Sequence, residues 1–456
     1  MVRVGMSSRI RSLGVTVAVA LACVGAPACS AEVPGEAEAG GGGAGAGDAD
    51  SSNEALSTAP SAPSPVAADR TRFLTCPVLD TDKPARATFR GKTYAYKTDE
   101  EARFRSPGWE ARVGLDDHAL DGLVPASDRA MVIDVRRVGG RPAYAYFGAH
   151  GLAHDPYEPW SSAKIMAASA AMARVRAETD ARVGGPASVS AGAVGDLVTA
   201  METYSPSGGV PGASNEIAGY FLTIAGAERT NALFGEGWLN LTGDESGFHV
   251  SRDAGRTRSA WGAAPYAAGR TWTMPRGPSY TATPDARMVD DKPMSALAQA
   301  EWLKRLSQHA LAPESSLPGF QAEDLDVLFY GRPAPSTGST QVGGMLAGIS
   351  NYVANAVAGT SALGAAETVA RIDTVNGGRS NWRIFDKVGW GDSTSRSRSE
   401  VVLVSYTCLP GYDGGHELVI ALRTSVPRSS VAAAGQVAQA TMNRLVAEAL
   451  KVRATN

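Results

Sequence analysis

Apolar and polar positions alternate along residues 129–150, "RAMVIDVRRVGGRPAYAYFGAH", on either side of a Gly-Gly turn. That period of two predicts a two-stranded hairpin. Helical periodicity takes over from 162 to about 178, and again over 191–204, 215–224 and 228–234. Residues 235–293 are rich in Gly, Pro, Arg and aromatics with little periodicity, a long irregular region of the kind that is usually functional or mobile. The helical pattern returns in "KPMSALAQAEWLKRLSQHAL", with Met294, Leu297, Ala298, Trp302 and Leu306 on one side. "GGMLAGISNYVANAVAG" is apolar but carries Ser350, Asn351 and Asn355, which predicts a buried or small-residue helix in place of a membrane span. Three strands follow, "WRIFDKVGW", "EVVLVSYTC" and "HELVIALRT", then a helix from about 430 to 453. Strand pair, helical block, three strands, helix is satisfied by an α/β (α+β) fold: the two ends of the chain build one five-stranded antiparallel sheet, flanked by helices, and the middle inserts a helical subdomain.

Composition narrows the function classes. The chain has 456 residues, 44% of them hydrophobic and 20% charged, as in globular proteins, and its net charge of −3 gives no basic excess to call for nucleic acid. Residues 1–29 place Arg3, Arg9 and Arg11 before an apolar run that ends in Ala26-Pro27-Ala28-Cys29, the layout of an export signal. The cysteine there resembles a lipobox, which would lipidate Cys29 and hold the protein on the bacterial cell envelope. Cys23 is a second candidate, and an ordinary cleavage site would give a secreted or periplasmic protein. Residues 30–71 hold almost nothing to bury and predict a disordered tether, leaving 72–456 as the folded domain. Cys76 and Cys408 are the two cysteines of that domain; in an oxidising compartment they pair as a disulfide, the alternative being two buried thiols.

Ser161 and Lys164 stand three apart at a helix start, so both side chains project from one face. A serine hydroxyl needs a base, which a lysine supplies when burial lowers its pKa, and the helix start offers backbone N–H groups to an oxyanion. Taken alone, the pair also fits a capping serine beside a surface lysine. It does not stand alone, because "FDKVGWGDS" lies on a late strand. Ser-x-x-Lys, then a Ser/Asn element on a helix, then Lys-x-Gly on a strand resembles the serine β-lactamase and penicillin-binding protein superfamily, and within it the class A β-lactamase domain, over residues 125–456.

The resemblance implies a β-lactamase-like (DD-peptidase) fold and an acyl-enzyme on Ser161. Lys164 would be its base or proton shuttle, Lys387 an electrostatic and proton-transfer partner, and the N–H groups of Ser161 and Trp390 the oxyanion hole. Gly389 would be small so that the strand approaches the helix start. The implied substrates are β-lactams or the D-alanyl ends of peptidoglycan peptides, with no cofactor and no metal; a non-catalytic envelope binding protein, or an esterase or amidase on another substrate, are the alternatives. "GVPGASNEIAG" leaves the middle motif open between Ser214 as second hydroxyl and Asn215 as the amide, with Ser205 as a third candidate and helix capping by Ser214 as the plain alternative. Val388 stands where the family carries a hydroxyl for the substrate carboxylate, and Arg398 or Arg396 would supply a cation instead, unless they only line a solvated strand edge. Glu236, in "GEGWLN", is the candidate deacylation base, with Glu245 and Asp253 behind it. The six histidines form no HExxH pair, and His150 and His154 lie before Ser161 where they would line the mouth of the site.

Overall fold

The structure is a computed structural model that describes residues 66, 71–179, 188–189, 192–243, 247–248, 265–267, 270–271, 293–332, 342–393 and 396–454. The chain divides into two units, Met1–Ala46 and Gly47–Asn456, and every described residue belongs to the second. Cys23, Cys29, Glu245, Asp253 and most of 249–292 lie outside the described residues.

Six antiparallel strands form the central sheet: β1 (Lys97–Thr98), β2 (Arg129–Val138), β3 (Arg141–Gly148), β4 (Arg383–Ser393), β5 (Arg398–Leu409) and β6 (His416–Pro427). Their spatial order is β4-β5-β6-β2-β3-β1, so the two ends of the chain are stitched together where β6 meets β2, with Ile420 opposite Val132. The expected hairpin and three late strands are all there. The two-residue β1 adds a sixth strand that has too few positions to show a period of two.

Between β3 and β4 run α1 (Lys164–Thr179), α2 (Val194–Thr203), α3 (Ser214–Ala225), α4 (Ala296–Ser307) and α5 (Tyr352–Ala358), and α6 (Val431–Ala449) closes the fold. The apolar segment 343–359 is not one helix. A 3-10 turn, Gly344–Ala347, and α5 flank Ser350 and Asn351, because Ser350 donates its hydroxyl to the buried Asp386 (2.7 Å) instead of lying on a helix face. Helices Ala322–Tyr330 and Ala365–Val375 add two elements, and the last helix stops at Ala449 so that Arg453–Ala454 can pair with strand Arg86–Phe89.

The sheet separates two cores by its pleat. Met131, Ile133, Phe385, Val402, Val404 and Tyr406 face α1 to α4, while Val132, Ile384, Val388, Val401 and Leu403 face α5 and α6. Helix α4 departs from the amphipathic expectation, since all twelve of its residues are buried. Its charged side is satisfied internally: Glu301 takes Tyr146 (2.7 Å), Lys304 (2.9 Å) and Arg305 (2.6 Å), and Arg305 donates to the carbonyls of Trp238 and Leu239. Cys76 and Cys408 form a disulfide that ties the start of the described body to β5 across 332 residues. Among the described residues no helix is long and apolar enough to cross a membrane.

Candidate active site

The chain enters the site through Glu158-Pro159-Trp160. Trp160 takes φ 51°, a left-handed backbone that costs a bulky residue about 1–3 kcal/mol, and the turn Trp160–Ala163 is a 3-10 helix that runs straight into α1. Several bonds hold this turn. Ser162 donates to the Pro159 carbonyl (2.6 Å) and accepts from Gln299 (2.7 Å), which in turn accepts from Tyr157 (2.8 Å), so α4 grips the residue next to Ser161. The Trp160 indole N–H donates to Glu400 on β5 (3.0 Å). Glu400 is fully buried; burial by itself would raise its carboxyl, but Arg423, Arg396 and the indole outweigh it and hold the group below the usual glutamate range. Ser161 is left half-buried at the surface of this rigid turn.

Edge strand β4 passes directly beside it. A Cβ placed on Gly389 would stand 2.4 Å from the Ser161 amide nitrogen and 2.7 Å from that of Ser162, so only glycine lets strand and turn come so close. One on Gly391 would fall 2.3 Å from the Trp160 ring. This places Gly389 and the following Trp390 next to the backbone N–H groups of the turn, an arrangement suited to two convergent N–H donors.

Lys164, buried on the first turn of α1, donates to Ser214 Oγ (2.8 Å) and to Asn215 Oδ1 (2.6 Å). The structure thus brings both middle-motif candidates to the same ammonium. Ser214 does not cap α3: Ala213 is the N-cap residue, and the Ser214 hydroxyl donates to the Met201 carbonyl (2.6 Å). Ser205 is exposed and its hydroxyl goes to Thr203 (3.3 Å), away from this cluster. Lys387 extends from β4 to the same corner, donating to the carbonyls of Met201 (3.1 Å) and Glu202 (3.4 Å) and pairing with the Glu202 carboxylate at 3.7 Å.

Two participants were missed by sequence reasoning. Tyr204, at φ 55° after the last turn of α2, lays its ring 4.8 Å from the Lys164 ammonium and 4.4 Å from that of Lys387, and 5.5 Å from the Trp390 ring. It directly precedes Ser205, the third candidate for the middle motif. Glu202 is wholly buried, and desolvation pushes its carboxyl up to about 7 against the pull of Lys387 and Lys164. Asp386, next to Lys387, is likewise raised by burial to about 7, with Ser350 opposing and Glu202 adding to the rise.

Other expected residues stand apart. Glu236 is exposed and, among the described residues, has no hydrogen bond or ion pair. The "WLN" that follows it is buried for a structural reason: Trp238 and Leu239 accept from Arg305, and Asn240 donates to the Phe104 carbonyl. Arg398 commits its guanidinium to the hydroxyl (2.8 Å) and carbonyl (2.6 Å) of Ser425, and Arg396 bonds Glu400 (2.7 Å). Val388 turns into the α6-side core, as strand alternation requires of the residue after Lys387. His150 is tied to the Val124 carbonyl (3.0 Å) and, through its backbone N–H, to Asp121 (2.7 Å).

No protein-family model and no curated protein matches the chain. Among solved structures, the TLA-3 extended-spectrum β-lactamase is similar at 9% identity and TM-score 0.42, covering 73% of this chain and 96% of that one. A class A β-lactamase from Bacteroides cellulosilyticus is similar at 10% identity and TM-score 0.38, covering 71% and 94%. A variant of the last common ancestor of Gram-negative class A β-lactamases reaches 17% identity at TM-score 0.37, covering 72% and 96%. Structural similarity to class A β-lactamases therefore extends over about 73% of the chain at low sequence identity, and it assigns no activity to any residue.

Proposed function

We propose that this protein is a serine hydrolase that forms an acyl-enzyme on Ser161. What carries the reading is the Lys164 ammonium held by Ser214 and Asn215 one turn after a serine whose backbone N–H is pressed against Gly389 of the edge strand. In the acylation step the Ser161 oxygen attacks the substrate carbonyl carbon as its proton passes to Lys164, which serves as base once it has given up a proton of its own. The N–H groups of Ser161 and Trp390 receive the developing oxyanion, and the Ser214 hydroxyl, bonded to Lys164, relays the proton to the leaving group as its bond to the carbonyl carbon breaks. Water then cleaves the ester and returns the proton. Lys387, paired with Glu202 at 3.7 Å, contributes to the local field.

The disulfide and the N-terminal sequence support export to the cell envelope, with cleavage of the signal after Ala28, Cys29 as the lipidated residue and 30–71 as the tether. Membrane contact would be through that lipid only. β-Lactams and D-alanyl peptides, the substrates implied by the motifs, are the first probes. Intact mass of the protein should rise by one adduct with a fluorophosphonate, and Ser161→Ala should stay unlabelled. A parent that no fluorophosphonate modifies, or a Ser161→Ala variant that is still modified, overturns the reading and leaves a non-catalytic binding role.

A further inference from the structure

On the reading that Ser161 is acylated, we infer that the cleft is built for neutral acyl donors with an aromatic acyl group, such as uncharged esters or thioesters, and not for substrates that carry a carboxylate beside the scissile bond. Two sets of observations carry this. The first is where the positive charge goes. A carboxylate-reading cleft needs a cation or a pair of hydroxyls turned toward it, and each candidate for that task is committed elsewhere. Val388 presents no hydroxyl and packs in the core on the far side of the sheet. Arg398 is bound to Ser425 through Nε and Nη2, while Arg396 and Arg423 both converge on the buried Glu400. Lys387 divides its donors between two carbonyls and faces the Glu202 carboxylate. Among the described residues, then, Lys387, Arg396 and Arg398 each already spend donors on acceptors of the protein itself. A substrate carboxylate would give up its hydration without an equivalent partner.

The second set is what lines the site. Trp160, Trp390 and Tyr204 are all half-buried, and each lies against the catalytic groups. Trp160 precedes Ser161 and is locked by its bond to Glu400 over Gly391. Trp390 follows Gly389, and Tyr204 covers both lysines while packing at a tilt against Trp390, ring centroids 5.5 Å apart. Partly exposed rings held rigid beside a nucleophile form a preorganised surface for another flat apolar group. The left-handed backbones of Trp160 (φ 51°) and Tyr204 (φ 55°) fit the same role, since such strain persists where the surroundings over-determine it.

The test needs only the unmutated mature protein and three thioesters: phenylacetylglycyl thioglycolate, its methyl ester, and the acetylglycyl counterpart of that methyl ester. Acylation transfers the acyl group to the Ser161 oxygen and releases the thiol with one proton, so thiol release and intact mass both follow it. The methyl ester is expected to exceed the free carboxylate at least tenfold in kcat/KM, and the phenylacetyl ester to exceed the acetyl one at least tenfold. Equal rates, a preference for the carboxylate, or no acylation by any of the three while a fluorophosphonate still labels Ser161 would overturn the inference and leave the nucleophile standing. Failure of the fluorophosphonate as well would show that the reading beneath it had failed.

Discussion

Replacing Gly389 by alanine probes the approach on which the proposed oxyanion site depends. The new Cβ would lie 2.4 Å from Ser161 N, 2.7 Å from Ser162 N and 2.8 Å from the Trp160 Cβ. Ordinary contact is about 3.5 Å, so strand and turn must separate by about 1 Å. Neither has an easy route. The turn is fixed by Gln299 and Glu400, and β4 is paired with β5 along its length from Arg383 to Ser393. Overpacking of this kind costs about 1–3 kcal/mol of stability, which lowers the melting temperature by roughly 2–4 °C per kcal/mol in a domain of a few hundred residues. The same 1 Å, applied between a developing oxyanion and its N–H donors, costs about 100-fold in rate, or roughly 2.7 kcal/mol of barrier. The assay is the second-order rate of fluorophosphonate labelling at 25 °C, well below the melting temperature, beside a thermal melt. Gly235→Ala, where a Cβ has nothing within 4 Å, is the control and should leave both unchanged. A Gly389→Ala variant that labels at the parent rate would refute the claim that this contact sets the geometry of the nucleophile.

Two further outcomes test the polar corner. Ser214→Ala removes the hydroxyl between Lys164 and the Met201 carbonyl; labelling of Ser161 should fall about 100-fold, the usual scale for a general acid–base group, and stability by about 1–3 kcal/mol for the buried partners left unpaired, as read by urea unfolding. Asp386→Asn keeps an acceptor for Ser350 but removes an ionisation that burial has raised from 3.8 to about 7. Between those values the folded protein holds a proton that the unfolded chain has released, so this group's contribution to stability is greatest below about pH 4 and is lost as pH rises to about 7, roughly 4 kcal/mol in all. The asparagine variant should show a flatter decline between pH 5 and 8 in urea unfolding, and an unchanged slope would refute the assignment.

What could be read without a structure was carried by short-range repetition. The hairpin at 129–148, the late strands and the helix at 296–307 are legible because pleat and helix turn impose periods of 2 and 3.6 on neighbouring residues. Ser161 and Lys164 were visible for the same reason, since three residues make one turn. Even so, α4 shows the limit of such patterns: its sequence alternates like a surface helix, yet Glu301, Lys304 and Arg305 are buried because Tyr146 and the carbonyls of Trp238 and Leu239 wait on other segments. A pattern records polarity but not whether water or protein answers it.

The sequence by itself determined the hairpin, the three late strands, the Ser-x-x-Lys turn and the glycine on a late strand. The tertiary structure alone decided that Ser214 and Asn215 both meet Lys164, that Glu202 and Tyr204 share the corner with Lys387, and that Arg396, Arg398 and Glu236 do not. The reason is distance along the chain. Trp160 meets Glu400 across 240 residues and Lys387 reaches Met201 across 186. Contacts of that span leave no periodic trace, and their register is set only when two packed cores fix where β4 lies against the first turn of α1.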